Sequence, residues 1–486
     1  MNENILTLEP RLLWKNFREL TLIPHPSKHE EQITKYLLEF GRQHADETFI
    51  DNTGNVIWRK AATPGMETRK GIILQAHCDM VPQAESGKNH NFITDPIVTV
   101  VKDGFVSADG TTLGGDDGIG VAAIMAIFEN DSLAHGPLEG LITIDEETGL
   151  TGAVGLEPGL LRGSTLINLD SEEHGIFYIG CAGGVNVNIS LPVNMEPLDS
   201  EGITIHHITL RVSGFMGGHS GADIHKNRPN AAKILFRLIN RMQEAGLYFG
   251  VGNTESGNMH NAIPREASAE IYISGISYPE FSRILEDYQI TISKEYGGSD
   301  PDGKIEALAA NRHTEYMDAE SLRKVNYIVN TLQSGVFAMS ADMPGLVETS
   351  NNLSVLRVEN GMMRIQCLLR SSVQSQSDYL KEIIKMQMDF CGAKVEFEGE
   401  YPGWKPNPKS DILEKAKKVY KAEFGGEPLV TAIHAGLECG MIIDKYPGMD
   451  AISLGPNVFG VHTPSEKVEI SSCVDFMRLL EGIIKN

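Results

Sequence analysis

Apolar positions fall into two rhythms along this chain. Toward both termini they form short, nearly unbroken runs that end in acids or histidines. In the middle they alternate or recur at helical spacing. The clearest run is Gly71 to Asp79 (GIILQAHCD), in which Ile72, Ile73, Leu74 and Ala76 predict a buried parallel strand. Side chains two apart on a strand share a face, so His77 and Asp79 leave its carboxyl end together. Open α/β sheets bind ligands at that edge. A strand that merely ends in polar loop residues is the commoner explanation of the pair alone, so the remaining chain must decide.

Three further segments repeat the theme. Leu141-Ile142-Thr143-Ile144 runs into Asp145-Glu146-Glu147, and Leu166-Ile167-Asn168-Leu169 ends in Asp170. Ala451-Ile452-Ser453-Leu454-Gly455 precedes Gly460-Val461-His462-Thr463-Pro464. Between them, Leu113-Gly114-Gly115-Asp116-Asp117-Gly118-Ile119-Gly120 opens an apolar helix, VAAIMAIF. A glycine-rich turn of this kind often cradles phosphate. Here two aspartates and no following lysine would repel an anion and hold a cation. Either aspartate is a candidate ligand, and one of the pair also suits a helix N-cap. Consecutive βα units are thus expected to bring His77, Asp116, Glu147 and Asp170 to one edge, with His462 as a fifth ligand. Adjacent side chains diverge, so one of Glu146 and Glu147 can bind metal while the other faces a water. Metal-assisted hydrolysis needs that division.

The remaining elements follow the same reading. A helix is expected over 10–20. Another follows Ser27-Lys28-His29-Glu30, a capping-box pattern. Strands are expected near 55–59, with a hairpin over 97–108 turning at Asp103-Gly104. From 203 to 308 the order is strand, helix, strand, strand, helix, strand, the ferredoxin-like βαββαβ unit. A shorter echo occupies 321–398. The predicted architecture is α/β, with domain pieces at 1–184 and 400–486 flanking an inserted α+β domain at 185–399, partly duplicated. The insert also holds Gly217-Gly218-His219-Ser220-Gly221, a glycine-flanked histidine able to reach out of a loop, though a lone histidine is more often structural.

Composition narrows the function. The chain has 486 residues, too many for one ordinary core, and a formal net charge of −23. That charge disfavours nucleic acid and anionic membrane as partners. No apolar run reaches transmembrane length, and the start lacks the apolar core of a signal peptide. Six scattered cysteines without a C-x-x-C pair read as reduced thiols in a cytoplasm.

The motifs His77-Cys78-Asp79, Gly115-Asp116-Asp117-Gly118, Asp145-Glu146-Glu147-Thr148-Gly149, Asn168-Leu169-Asp170 and Gly460-Val461-His462-Thr463-Pro464, in this order, resemble the M20 metallopeptidases, the carnosinase/acylase superfamily. The likeness spans essentially the whole chain and is strongest to the Xaa-His dipeptidase branch. It implies a zinc-peptidase-like catalytic domain, a mixed sheet flanked by helices, and a lid formed by the insert. Asp116 would bridge two metal ions, His77 and Asp170 would complete one site, and Glu147 and His462 the other. Asp79 would hydrogen-bond the His77 ring, and Glu146 would be the general base. His219 would steady the oxyanion. Asn261 and Arg370 would contact the substrate carboxylate, and Gly436 would offer a backbone contact. The cofactors implied are two divalent ions, zinc first, with Mn²⁺ and Co²⁺ as alternatives. The activity implied is hydrolysis of Xaa-His dipeptides, including β-alanyl-histidine, by a cytoplasmic homodimer whose domains close on a hinge near 185 and 400. An N-acyl-amino-acid deacylase with the same centre is the competing activity. A non-catalytic metal-binding protein is disfavoured by retention of Glu146 with every ligand.

Overall fold

The computed structural model describes residues 4–198, 202–311 and 315–486. The chain forms two compact units. One comprises residues 1–181, 404–432 and 437–486, and the other 182–403 with the short piece 433–436.

The first unit is built on an eight-stranded mixed sheet in the order Glu47–Ile50, Val56–Lys60, Leu138–Thr143, Ile72–His77, Thr165–Asn168, Asp450–Ser453, Ile176–Cys181, Leu429–Ile433. Leu138–Thr143, Ile72–His77, Thr165–Asn168 and Asp450–Ser453 run parallel. The first three of these are buried at every position, which explains their continuous apolar runs. Their carboxyl ends point the same way and carry His77, the segment 145–147 and Asp170.

The helix Gly115–Glu129 is apolar on all sides and buried almost throughout. Val121, Ile124, Met125, Ile127 and Phe128 are each at most 1% exposed. At about 1.5–3 kcal/mol per buried side chain, they contribute on the order of 10 kcal/mol together. That outweighs the cost of an irregular start, where Asp116 and Asp117 leave helical φ/ψ (−86°, 109° and −109°, 33°). The expected hairpin is present as Thr99–Lys102 and Phe105–Ala108. It belongs to a four-stranded sheet with Lys467–Glu469 and Val458–Phe459.

One local expectation is corrected. Ser27 does not cap the second helix, which begins at Glu31. Its hydroxyl donates instead to the Asp79 carboxylate at 2.8 Å. Asp116 lies, as expected, in the turn that opens a helix.

The main sheet of the second unit has nine strands with helices packed on it, Gly335–Met339 pairing with Val347–Glu359 off its main order. Its order is Lys304–Ala309, Ile205–Ser213, Ala267–Ser274, Phe249–Ser256, Val347–Glu359, Met362–Ser371, Gly183–Pro192, Lys394–Tyr401. The first four strands, with Ala231–Glu244 and Tyr278–Tyr296, form one βαββαβ unit. The second unit of this kind is complete rather than shortened. Its first strand is Gly183–Pro192, which precedes the other half in sequence. The two halves meet through their second strands, Phe249–Ser256 and Val347–Glu359, paired antiparallel.

A single acid holds the Asp116 turn in place. Glu466 is 2% exposed, and its Oε2 accepts the N–H groups of Leu113 and Gly114 at 2.8 and 3.1 Å. Its Oε1 accepts those of Gly115 and Asp116 at 2.7 and 3.2 Å. Glu466→Gln replaces one acceptor oxygen by an amide and leaves two buried donors unpaired. It is expected to cost about 2 kcal/mol or more of stability, read from the denaturant midpoint. An unchanged midpoint would show that this carboxylate does not hold the turn.

Candidate metal centre

Seven of the candidate residues converge in the first unit. His77 is 1% exposed, and its Nδ1–H donates to the Asp79 carbonyl at 3.1 Å, with the Asp79 carboxylate at 3.4 Å. This bonding assigns the proton to Nδ1 and leaves the Nε2 lone pair free to bind a metal ion. Nε2 lies 3.2 Å from Asp116 Oδ1 and 3.5 Å from Asp170 Oδ1. Asp116 Oδ2 lies 3.1 Å from His462 Nε2, which is also 3.0 Å from the Glu147 carboxylate. Asp116 thus offers one oxygen to each imidazole. Two sets of three donors, His77/Asp116/Asp170 and Asp116/Glu147/His462, each have ligand atoms within 4.8 Å of one another.

Glu146 stands beside both sets: it groups with His77 and Glu147. A short helical turn, Glu146–Gly149, starts after Asp145 in the left-handed region (φ 49°) and carries both glutamates in its first turn. The Asp79 carboxylate accepts the N–H groups of Glu146 and Glu147 at 2.9 and 3.3 Å. Asp79 therefore orients three members of the cluster at once. Asp117 is not part of it. Its Oδ1 accepts the Gly120 N–H at 3.1 Å, the capping role open to one aspartate of the pair.

The electrostatics indicate surplus negative charge. Burial pushes Asp170 up to about 7, although His77 opposes it. Glu146 is also pushed well above the usual carboxylate range, by burial first and then by Asp170, Glu438 and Glu147. His462 is raised to about 11 by Asp116 and Glu147. Burial works against charge on Asp79, but His77, the Glu146 N–H and Ser27 outweigh it and hold the carboxylate down at about 2. An imidazole lone pair facing two carboxylate oxygens is repelled unless a proton or a metal ion lies between them. Carboxylates with two imidazoles and no thiolate are a donor set for Zn²⁺, Mn²⁺ or Co²⁺. The residues fit two divalent ions sharing Asp116.

The other candidates lie in the second unit. His219 sits in the two-residue strand Gly218–His219, paired with Ala262–Ile263. Its Nδ1 accepts the N–H groups of Gly221 and Ala222 at 3.2 and 3.0 Å, so Nε2 carries the proton. Burial, and then Arg370, lower its pKa, which keeps the ring a neutral donor. The Asn261 carbonyl accepts the Ser220 N–H at 2.8 Å. Arg370 is 5% exposed, pairs across the sheet with Ser350 and Gly184, and donates Nη1–H to the Tyr401 hydroxyl at 3.1 Å. Its Nε–H is buried without a partner. A Cβ at Gly436 would press on the Tyr401 ring at 3.1 Å, and one at Gly184 would meet the Tyr401 hydroxyl at 2.6 Å. Glycine at both positions makes room for the tyrosine that holds the guanidinium.

Sequence reasoning misses Glu466, Glu438 and Tyr401. Glu466 closes the loop of His462 and shows no pattern of its own. Tyr401 stands out in Tyr401-Pro402-Gly403-Trp404 only as the start of a turn.

Comparison with known proteins agrees with this geometry. The sequence profile of the Peptidase family M20/M25/M40 matches residues 73–486. The cytosol non-specific dipeptidase of Escherichia coli (strain K12) is 37% identical over 478 residues, 98% of each chain. The crystal structure of aminoacylhistidine dipeptidase from Vibrio alginolyticus superposes with a TM-score of 0.93 at 37% identity, covering 99% of this chain and 97% of that one. Aminopeptidase PepT from Bacillus cereus shares the fold at 18% identity and a TM-score of 0.56, covering 98% of each chain. With its ligand-bearing strands, its acid-rich centre and a profile match over most of its length, the chain belongs to the peptidase family M20/M25/M40.

Proposed function

We propose that the protein is a metal-dependent dipeptidase that hydrolyses Xaa-His dipeptides, β-alanyl-histidine among them. The observation that carries this reading is the Asp116 carboxylate, with one oxygen on His77 and the other on His462. Relatives alike over nearly the full chain are named dipeptidases, one of them for aminoacyl-histidine substrates.

In this reading His77, Asp116 and Asp170 hold one divalent ion, and Asp116, Glu147 and His462 hold the other, with zinc as the proposed metal. Two such ions, when bound, polarise a carbonyl and make a water acidic. Glu146 belongs to neither ligand set. It takes the proton from the attacking water and delivers it to the leaving amine. Asp79 keeps His77 in the tautomer that presents Nε2 and fixes the backbone of both glutamates. The neutral His219 ring presents an Nε2–H donor suited to a developing oxyanion.

Arg370 supports a substrate with a free carboxylate. Among the described residues its side chain has one hydrogen-bond partner, the Tyr401 hydroxyl, and no acid. A buried guanidinium without a counter-ion is costly, and a carboxylate ligand removes that cost. Anchoring the C-terminus through Arg370 favours short peptides. The resemblance extends the proposal to a homodimer, and the E. coli relative's name extends it to the cytosol. No helix among the described residues is long and apolar enough to cross a membrane.

Purified protein is expected to hydrolyse β-alanyl-histidine, to stop when the metal is chelated and to resume when zinc is restored. Glu146→Ala is expected to lose about 10²–10⁴-fold in rate while still binding zinc. Turnover of an N-acetyl amino acid but not of a dipeptide would move the assignment to a deacylase. Full activity of the Glu146 variant would overturn the general-base role.

A further inference from the structure

One fully buried acid has no part in the chemistry above. Glu438 opens the helix Glu438–Lys445 and is 0% exposed. Its Oε2 accepts from the Gln75 amide at 2.5 Å and from the Thr143 hydroxyl at 2.7 Å. Its Oε1 is buried with no hydrogen-bond partner among the described residues. The carboxyl group is therefore anchored on one oxygen and unsatisfied on the other.

Its partners lie one step below the proposed metal ligands. Gln75 stands two residues before His77, on the same face of the same strand. Thr143 ends the strand that leads into Asp145, Glu146 and Glu147, and it is His77's neighbour in register. Gln75 Oε1 accepts from the Asn168 amide at 2.7 Å, and Asn168 stands two residues before Asp170. The Asn168 Oδ1 accepts from the Ser453 hydroxyl, which meets that of Ser171 at 2.6 Å. Gln75, Asn168 and Ser453 are direct neighbours across three parallel strands. A polar row thus crosses the sheet beneath the ligand-bearing tips, and Glu438 closes one end of it.

As a strut, a glutamine could also accept from Gln75 and Thr143 through its carbonyl oxygen, but its amide would bury two unpaired N–H donors where the carboxylate buries one free oxygen. A carboxyl group in such a place makes physical sense beside cations. We propose that Glu438 is a positioning residue of the metal centre. It ties the strand ends bearing His77, Glu146–Glu147 and Asp170 together and adds negative charge beneath the ions they hold. The inference rests on the metal-dependent reading proposed above, not on any particular substrate.

The test is zinc affinity, measured on the full chain by competition with a chromogenic chelator, alongside thermal unfolding of the metal-free protein. Direct hydrogen-bond partners of metal ligands typically contribute about 10–100-fold to affinity, and Glu438 acts one bond further out, at the low end of that range. Glu438→Gln is expected to bind zinc about tenfold more weakly while the metal-free chain unfolds near the wild-type temperature. Thr143→Val keeps the charge but removes one anchor, so it is expected to weaken zinc binding less than the glutamine variant. It also serves as the test if the glutamine variant does not fold. Wild-type zinc affinity in both variants would overturn the proposal, as would a loss confined to metal-free stability. Failure of the wild-type chain itself to take up zinc is a separate result, and it would overturn the metal reading instead.

Discussion

The constraint on which this structure depends is the crowding of carboxylates at the ends of parallel strands. Asp79, Asp116, Glu146, Glu147 and Asp170 gather around two imidazoles. Two like charges 4 Å apart repel by about 4 kcal/mol even at an effective dielectric constant of 20. Several such pairs together rival the whole stability of an ordinary domain. Without cations the cluster survives only by holding protons, which is why burial raises Asp170 and Glu146 and why both imidazoles are raised. Two divalent ions would satisfy the same donors without those protons.

The rest of the first unit reads as a scaffold for that concentration of charge. Hydrophobic burial along Gly115–Glu129 supplies the energy that sets Asp116 in an irregular turn. Glu466 receives the backbone N–H groups of that turn, and Asp79 receives those of Glu146 and Glu147. In the second unit a duplicated βαββαβ sheet carries a buried guanidinium with no acid paired to it among the described residues. One unit holds more negative charge than it can balance, and the other holds an unpaired positive charge. In the proposed reading, each is completed by a ligand of the opposite sign.

Much of this arrangement is legible in the amino-acid sequence. Buried parallel strands announce themselves as unbroken apolar runs, and a polar residue at the end of such a run has few places to go. That logic reaches His77, Glu147 and Asp170 directly, and the glycine-rich turn reaches Asp116. It leaves Asp116 and Asp117 undivided, because the choice depends on which carboxylate meets the Gly120 N–H. It misreads Ser27 as a helix cap, because a local pattern cannot reveal a long-range bond to Asp79. It takes the second half of the inserted domain for a shortened copy, because that half's first strand, Gly183–Pro192, lies ahead of the other half in sequence. Glu438 and Glu466 are invisible to it for a similar reason: their partners are hundreds of residues away and are largely backbone groups or side chains of other strands.

The most direct test of the central claim is a count of metal ions. The wild-type chain would be reconstituted with zinc, freed of excess by gel filtration and analysed for zinc per chain. An Asp116→Asn variant would be treated identically. The account predicts about two ions per wild-type chain and a loss at both sites in the variant, because one carboxylate serves both. A wild-type chain holding one ion or none, or a variant that keeps two, would contradict it.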